Sequence, residues 1–485
     1  MSSKLKNVLS ILVGALLMGL LWRIRGTGGW GSSWGLLNAG AVFMLFVVII
    51  AGPRKKLNLG WIGVSSLAFM LTVPTWGTFL SLMTGILSRT VDEGWAPDPN
   101  NAGEFIKTAV NIQGEREITV LSAVIIMLIL GFGLATLWGI MLGRGFSNKR
   151  WRIFDFVILV AVFFVAMYVS RATLAHTLAK LIQPEALDLF KEGLFRQGLV
   201  TEETFESVYK VYMEHFDDMS WAKRVLGGRH YFALVETISI AIGGIASMIA
   251  TRFVIKDKIA SSMGLITSSA FAVAITVADL FFYFGNGGYH GLNANPFDKL
   301  SVISVYPWSC WEYFTGFIAG AIITTAVVIY NKKYKSISQI EERAFSNVPK
   351  PIADIFTFLI GFACIFGINM LRPIIDGRFE DSKYLIIAII VAAVITVGWI
   401  IFAVIKYGIH LEKTTDRAFA AKGLLVMLIS MFVTYFFTGF ASNEANILSL
   451  NSFHNVMMVI SFVGLIAYAI VNVVLTNKEA KQLKK

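Results

Sequence analysis

Runs of about 20 apolar residues recur along almost the whole chain, and they are the feature that most restricts its fold. A helix rises about 1.5 Å per residue, so about 20 apolar residues are needed to cross the roughly 30 Å hydrocarbon core of a bilayer. Hydrophobic residues make up 56% of the 485 residues and charged residues 15%, too little polar surface for a water-soluble domain. The sequence therefore predicts an all-α fold, a polytopic bundle of transmembrane helices.

Twelve spans are predicted from these runs. The third is long, and Pro74 is its natural break. The first is not a cleaved signal peptide, because Arg23 and Arg25 follow it instead of a small-residue cleavage site. The twelve spans lie near residues 7–25, 36–51, 60–88, 118–142, 153–170, 231–253, 262–285, 313–330, 352–370, 384–406, 422–440 and 455–475.

The distribution of lysine and arginine predicts the orientation. If the N-terminus is cytoplasmic, the cytoplasmic segments hold 25 of the 42 basic residues and only 8 of the 31 acidic ones. This asymmetry follows the positive-inside rule, so the net charge of +11 gives no reason to predict nucleic-acid binding. We therefore expect a multi-pass protein of the plasma (inner) membrane with both termini in the cytoplasm.

Two glycine-rich segments occupy the predicted outer ends of the first and seventh spans. Residues 25–31 read RGTGGWG and residues 284–290 read FGNGGYH, so both contain G-x-G-G followed by an aromatic residue. The matching positions suggest a 6+6 parallel duplication into halves 1–257 and 258–485. Chance is the alternative in a chain with 42 glycines. Irregular backbone at membrane depth is tolerated where it lines a cavity, which predicts an outward-facing polar pocket at these two ends.

Charged, glycine and aromatic residues are the candidate substrate-binding groups of this pocket. Arg23 and Arg25 would bind an anionic or sugar-like group; alternatively, they extend to lipid phosphates. Asp279 lies inside a predicted span, where it would carry a proton or pair with an arginine. The candidates are Arg23, Arg25, Gly28, Gly29, Trp30, Trp34, Glu236, Asp279, Gly287, Gly288, Tyr289, His290, Trp308, Trp311 and Glu312.

Two of these candidates, Glu236 and Glu312, each begin a predicted inward-running span and share the pattern E-x5-I-[GA]-G. The simpler interpretation is helix-start chemistry, because a carboxylate is stabilised at the positive end of the helix dipole. The small residues Gly243, Gly244 and Gly320 that follow are typical of close helix–helix contacts.

The largest predicted external segment, residues 171–230, contains two amphipathic patterns that begin near Pro184 and Thr201. They indicate a helical cap, either a solvated structural element or a lid. Eight of the twelve tryptophans and five of the six histidines also fall on the predicted outer side. This excess suggests an aromatic-lined external cavity, with a thick interfacial belt as the alternative.

No cofactor or metal site is predicted. The two cysteines, Cys310 and Cys364, are too few for a thiolate site, and the chain has no phosphate-binding loop or HExxH pattern. The expected partners are the lipid bilayer and a small-molecule or lipid-linked substrate.

Three functions remain open at this point. The first is a secondary transporter for a small anionic or sugar-like solute. The second is a membrane-embedded transferase at the external face, moving an acyl, glycosyl or phosphoryl group on lipid-linked or glycan substrates. There His290, His230 and Asp279 would be catalytic, and Arg23 and Arg25 would bind a phosphate-bearing donor. The third is a non-catalytic component of an envelope assembly.

Overall fold

The computed structural model describes more than half of the chain. The described residues are 3–25, 32–51, 59–72, 93–97, 105–109, 120–147, 149, 151–182, 201–204, 206–207, 228–285, 307–334, 349, 390, 394, 397–398, 401–402, 404–406, 416–441 and 453–482.

Helices account for nearly all of these residues, which confirms the all-α class apart from one short antiparallel hairpin. Its strands, β1 (Glu93–Pro97) and β2 (Phe105–Ala109), pair with Glu93 opposite Ala109 and Pro97 opposite Phe105. The helices in the described part are α1 (Ser3–Arg25), α2 (Ser32–Ala51), α3 (Leu59–Leu71), α4 (Val120–Leu134), α5 (Thr136–Arg144), α6 (Ile153–Ala172), α7 (Leu174–Ile182), α8 (Gly228–Phe253), α9 (Lys258–Gly285), α10 (Pro307–Lys333), α11 (Asp416–Ala441) and α12 (Phe453–Gln482).

Seven helical stretches in the described residues are long and apolar enough to cross a membrane. They coincide with predicted spans one, four to eight and twelve. A shorter apolar helix, Gly35–Ala51, coincides with the second span, and α11 coincides with the eleventh. The seven stretches are Lys4–Arg25, Val124–Arg144, Ile153–Ala172, Leu234–Phe253, Lys258–Leu280, Trp311–Lys333 and Val456–Glu479.

The other spans fall largely outside the described residues. The third is described only as far as Thr72, so Pro74 lies outside, and so does most of the ninth and tenth spans. The count of twelve and the 6+6 duplication therefore stay predictions.

Helices α1 and α10 run antiparallel and are packed at backbone distance. A Cβ atom on Gly320 would lie 2.5 Å from the carbonyl oxygen of Gly14, and one on Gly316 would collide with the carbonyl oxygen of Met18. Glycine is required at both positions because any side chain would push the two helices apart. The close contact predicted for Gly320 is confirmed.

A second set of glycine contacts joins α8 to its neighbours. A Cβ atom on Gly243 would lie 2.8 Å from the carbonyl oxygen of Phe163 on α6. One on Gly244 would lie 2.6 Å from the hydroxyl oxygen of Thr136 on α5. Both glycines therefore lie at helix–helix contacts, as their sequence pattern predicts.

The directions of further helix pairs follow from their contacts. On α4 and α5, Gly131 faces Phe271 and Gly143 faces Met263, so α9 runs antiparallel to them. Asn38 donates a hydrogen bond to the Met431 sulfur at 3.4 Å. This contact and a bond from Arg417 to the carbonyl oxygen near the end of α2 make α2 and α11 antiparallel.

A continuous layer of aromatic side chains crosses the interior between the two ends of the bundle. Neighbouring ring centroids in it lie 4.7 to 6.4 Å apart, which is the usual range for packed aromatic pairs. This aromatic layer consists of Trp22, Phe43, Phe46, Phe69, Trp138, Phe271 and Tyr468.

Buried charges lie at the end of the bundle predicted to be cytoplasmic. Arg144 stacks over Trp151 at 5.6 Å, and the Trp151 indole donates a 2.9 Å hydrogen bond to Asp257. Arg417 donates to both carboxylate oxygens of Glu479, at 2.7 and 2.8 Å. The sequence pattern treats these residues only as cytoplasmic loop charges, whereas the structure uses them to join helix ends.

Candidate functional site

Two arginines and one glutamate form a charged group at the opposite end of the bundle. Arg23 Nη1 donates a 2.7 Å hydrogen bond to Glu312 Oε2, and Arg25 Nη2 lies 3.6 Å from Glu312 Oε1. The arginines occupy the last turn of α1, and Glu312 lies in the second turn of α10. The Glu312 carboxylate therefore contacts two guanidinium groups of α1, although Glu312 and Arg23 are 289 positions apart in the sequence.

The packing of α1 against its neighbours fixes the position of Arg25. Its guanidinium lies 4.4 Å from the ring centroid of Trp22, a cation–π geometry. A Cβ atom on Gly35, in the first turn of α2, would lie 2.7 Å from the Arg25 side chain. Only 1% of Arg25 is exposed, so this arginine faces the protein interior and does not extend to lipid phosphates.

Asp279 lies on α9, buried at the same end of the bundle. Within the described part of the chain it forms an ion pair with neither Arg23 nor Arg25, so of its two predicted roles the pairing with an arginine is not seen there. The indole of Trp311 on α10 interacts with its carboxyl group, but this contact falls short of hydrogen-bond geometry. Asp279 on α9 and Glu312 on the next described helix, α10, therefore have different surroundings.

Four buried polar atoms near these charges have no hydrogen-bond partner among the described residues. Burial of an unsatisfied polar group costs about 1–3 kcal/mol, so a cluster of them at one place is unusual. An indole N–H can only donate, and the arginines beside it also offer only donors. The four atoms are Trp22 Nε1, Trp311 Nε1, Thr315 Oγ1 and Asp279 Oδ2.

These side chains together form the polar site between α1, α9 and α10. Trp22 packs against Gly316, the residue next to Thr315, and Thr315 lies one helical turn after Trp311. Beneath the site, the Trp22 ring lies 4.9 Å from Phe271 in the aromatic layer. The polar site consists of Trp22, Arg23, Arg25, Asp279, Trp311, Glu312 and Thr315.

The helix-start interpretation is wrong for both glutamates. Helix α10 begins at Pro307 and α8 begins at Gly228, so Glu312 and Glu236 lie in the second and third turns. Neither carboxylate is near the first-turn N–H groups, where the helix dipole acts. Glu236 is buried at the same end of the bundle as the polar site.

Several predicted site residues cannot be placed against this geometry. The backbones of Trp34, His230 and Trp308 lie in helices α2, α8 and α10, but their side chains lie outside the described part. The remaining predicted residues, Gly28, Gly29, Trp30, Gly287, Gly288, Tyr289 and His290, lie wholly outside the described residues. The external cap is described only at residues 171–182, 201–204, 206–207 and 228–230.

His176 on α7 is the one histidine whose side chain belongs to the described part. Burial lowers its pKa below the usual 6.5, and Lys180 and Arg171 lower it further. Across the described residues, no group of three or more His, Cys, Asp or Glu side chains is arranged to bind a metal ion.

No family model matches the chain, and no curated protein or solved structure matches it either.

Trp22 and Thr315 are the members of the polar site that are not among the predicted binding residues, and Thr315 is the harder of the two to predict. A threonine in an apolar helix usually donates to the carbonyl four residues earlier, so its type carries no signal. Its neighbours did carry one. Pro307 is typical of the first helical position, and starting α10 there places Trp311 and Thr315 on one face, four residues apart.

Proposed function

We propose that this protein is a secondary transporter for a small anionic or sugar-like solute, bound at the polar site. The observation that carries the proposal is the set of buried donors without a partner among the described residues, Trp22 Nε1, Trp311 Nε1 and Thr315 Oγ1. Two buried arginines lie beside them. Carboxylate, phosphate or sugar oxygens are the acceptors that such donors select.

The proposal places twelve spans in the plasma membrane, with both termini cytoplasmic. Its support is the direction of the described helices. Antiparallel packing of α1 with α10, of α9 with α4 and α5, and of α2 with α11 agrees with alternate crossings in a twelve-span chain. In this arrangement the polar site opens toward the outer face, at the ends of the first, seventh and eighth spans.

The aromatic layer supports transport over simple binding. It fills the interior between the polar site and the opposite end, where the Arg144 and Arg417 contacts join the helix ends. Alternating access requires a barrier on one side of a bound solute while the other side is open. In the proposed mechanism the aromatic layer is that barrier, so the polar site is open to only one face of the membrane at a time.

Uptake into proteoliposomes tests the proposal. Purified full-length protein is reconstituted and supplied with radiolabelled lactate, succinate, inorganic phosphate, glucose or glycine, one at a time. We expect uptake of at least one solute above that of protein-free liposomes. We expect Arg25→Ala and Asp279→Asn to reduce uptake of the best-transported solute strongly, because each removes a charged group from the polar site.

Arg252→Ala is the matched control, because Arg252 is an exposed arginine at the end of α8. It should retain wild-type uptake. Absence of uptake for every solute would overturn the transporter proposal. Wild-type uptake in both Arg25→Ala and Asp279→Asn would show that the polar site is not the solute site.

A further inference from the structure

Within the polar site, Arg25 on α1 and Asp279 on α9 carry opposite charges but form no ion pair with each other. Arg25 on α1 is held against Trp22 and Glu312. Asp279 on α9 is buried beside Trp311 and forms no ion pair with the described arginines. A direct salt bridge would neutralise both groups, and none is formed between them. This separation is the starting point for assigning the ligand.

Asp279 requires a hydrogen-bond donor that the described residues do not supply. An ionised carboxylate in apolar surroundings needs a cation or several donors, whereas a protonated one needs an acceptor for its O–H. Oδ2 has neither among the described residues.

Glu312 shows how the same protein satisfies an acid internally. Both of its carboxylate oxygens face arginine nitrogens, at 2.7 and 3.6 Å. Asp279 is also buried, but no described arginine or lysine plays this part for it. Its Oδ2 therefore accepts from a group outside the described residues, and a cationic donor suits a buried carboxylate best.

We propose that the solute is a zwitterion with an ammonium group and a carboxylate, an inference that rests on the proposed transport function. The carboxylate binds at Arg25 with the indole N–H groups, and the ammonium group binds Asp279 Oδ2. One molecule then satisfies the donors on α1 and α10 and the acceptor on α9. It enters the site without adding net charge to the membrane interior.

Other solute classes fit the site less completely. A dicarboxylate or inorganic phosphate places a second negative charge near Asp279, which like-charge repulsion disfavours. A sugar donates and accepts hydrogen bonds but leaves the charge of Asp279 without a counter-ion. A monocarboxylate satisfies the arginine side alone. The zwitterion is the class that compensates both charges.

Matched pairs of solutes test the assignment in reconstituted proteoliposomes. Glycine, β-alanine and 4-aminobutyrate carry the two charges at increasing separation, while acetate, propionate and butyrate lack the ammonium group. We expect at least one zwitterion to be taken up about 30-fold or more efficiently than its matching carboxylate. This is the lower end of the effect of removing one member of a buried charge pair.

Two variants test the two ends of the bound solute. Asp279→Asn should reduce uptake of the preferred zwitterion by about 30-fold or more and leave uptake of its matching carboxylate undiminished. Trp311→Phe removes the indole N–H and should reduce zwitterion uptake about 5-fold. Its control is Thr324→Val, which removes a buried hydroxyl without a described partner further along α10, away from the charges, and should keep wild-type uptake.

The outcomes separate the two proposals. If acetate, propionate or butyrate is taken up as well as its zwitterion, transport stands and the zwitterion assignment fails. If Asp279→Asn instead abolishes only the dependence of uptake on a pH gradient, Asp279 carries a proton and the assignment also fails. If neither series is transported, the assignment falls together with the proposed function. If the Asp279→Asn protein does not fold, Trp311→Phe is used in its place, because it keeps an aromatic ring at position 311 and leaves the Asp279 carboxyl group unchanged.

Discussion

Arg25 illustrates how a charged side chain is kept inside a bundle of apolar helices. Removing a guanidinium group from water costs several kcal/mol, and its surroundings must offset that cost. The Trp22 ring at 4.4 Å and the Glu312 carboxylate at 3.6 Å both stabilise the cation. Glu312 also binds Arg23, so a single carboxylate stabilises two buried cations, and its loss affects both.

Glu312→Gln should therefore destabilise the protein strongly. Removing one partner of a buried ion pair costs about 3–5 kcal/mol, and here two arginines lose the same carboxylate. We expect a clear decrease in the Tm of the detergent-purified protein, measured by thermal unfolding. Glu479→Gln is the control, because Glu479 is 38% exposed in its pair with Arg417 and its replacement should lower the Tm less. Equal decreases would show that burial does not set the strength of these pairs.

The sequence identified the charged members of the polar site but not how they pair. Arg23, Arg25, Asp279 and Glu312 stand out because a charge within an apolar run is costly. Nothing in a single sequence relates Arg23 to Glu312, which follows 289 residues later. The sequence offered Asp279 either as a proton carrier or as a partner for an arginine, whereas the packing of α1 against α10 gives both arginines Glu312.

At the scale of the helices, the boundaries of α10 were the least predictable property of the site. The apolar run begins at residue 313, but the helix begins at Pro307. The apolar run marks the part within the hydrocarbon, while the helix continues through the interface until its caps end it. Because the helix begins before the apolar run does, Glu312 lies in the second turn of α10 instead of at its start, and its side chain faces α1.

Gly316→Ala tests whether the α1–α10 contact holds the polar site together. The added methyl group would collide with the carbonyl oxygen of Met18 and the Trp22 side chain. Overpacking of this kind costs about 1–3 kcal/mol. We expect a lower Tm by thermal unfolding and reduced uptake, because the helices that carry Arg23 and Glu312 must separate.

Gly464→Ala on α12 provides the comparison, since a Cβ atom there has no neighbour within 4 Å. Alanine is also the better helix former, so this variant should keep the wild-type Tm and uptake. If Gly316→Ala behaves in the same way, close packing of α1 and α10 is not what positions the site.

At the scale of the whole molecule, hydropathy was sufficient to predict the fold class and the positions of most of the spans that the structure describes. Seven of the twelve predicted spans coincide with membrane-length helices, because apolar length alone identifies such segments. The contacts between helices were not predictable. The layer from Trp22 through Trp138 to Tyr468 joins residues from six helices, and its members have no common spacing in the sequence.

Cysteine labelling tests the proposed orientation of the chain. After replacement of Cys310 and Cys364 by alanine, single cysteines are introduced as Asn100→Cys and Lys335→Cys. A membrane-impermeant maleimide added to intact cells should label the cysteine at position 100 and reach position 335 only after permeabilisation. The reason is the excess of basic residues on the side that contains Lys335. The opposite labelling pattern would invert the proposed topology.

The contact between Arg23 and Glu312 has a consequence for how the protein is made. Ribosomes add about 5–20 residues per second, so roughly 15 to 60 seconds separate the synthesis of the two residues. During that interval the two arginines of α1 lack the carboxylate that binds them in the folded protein. This end of α1 therefore reaches its final contacts only after α10 has been made.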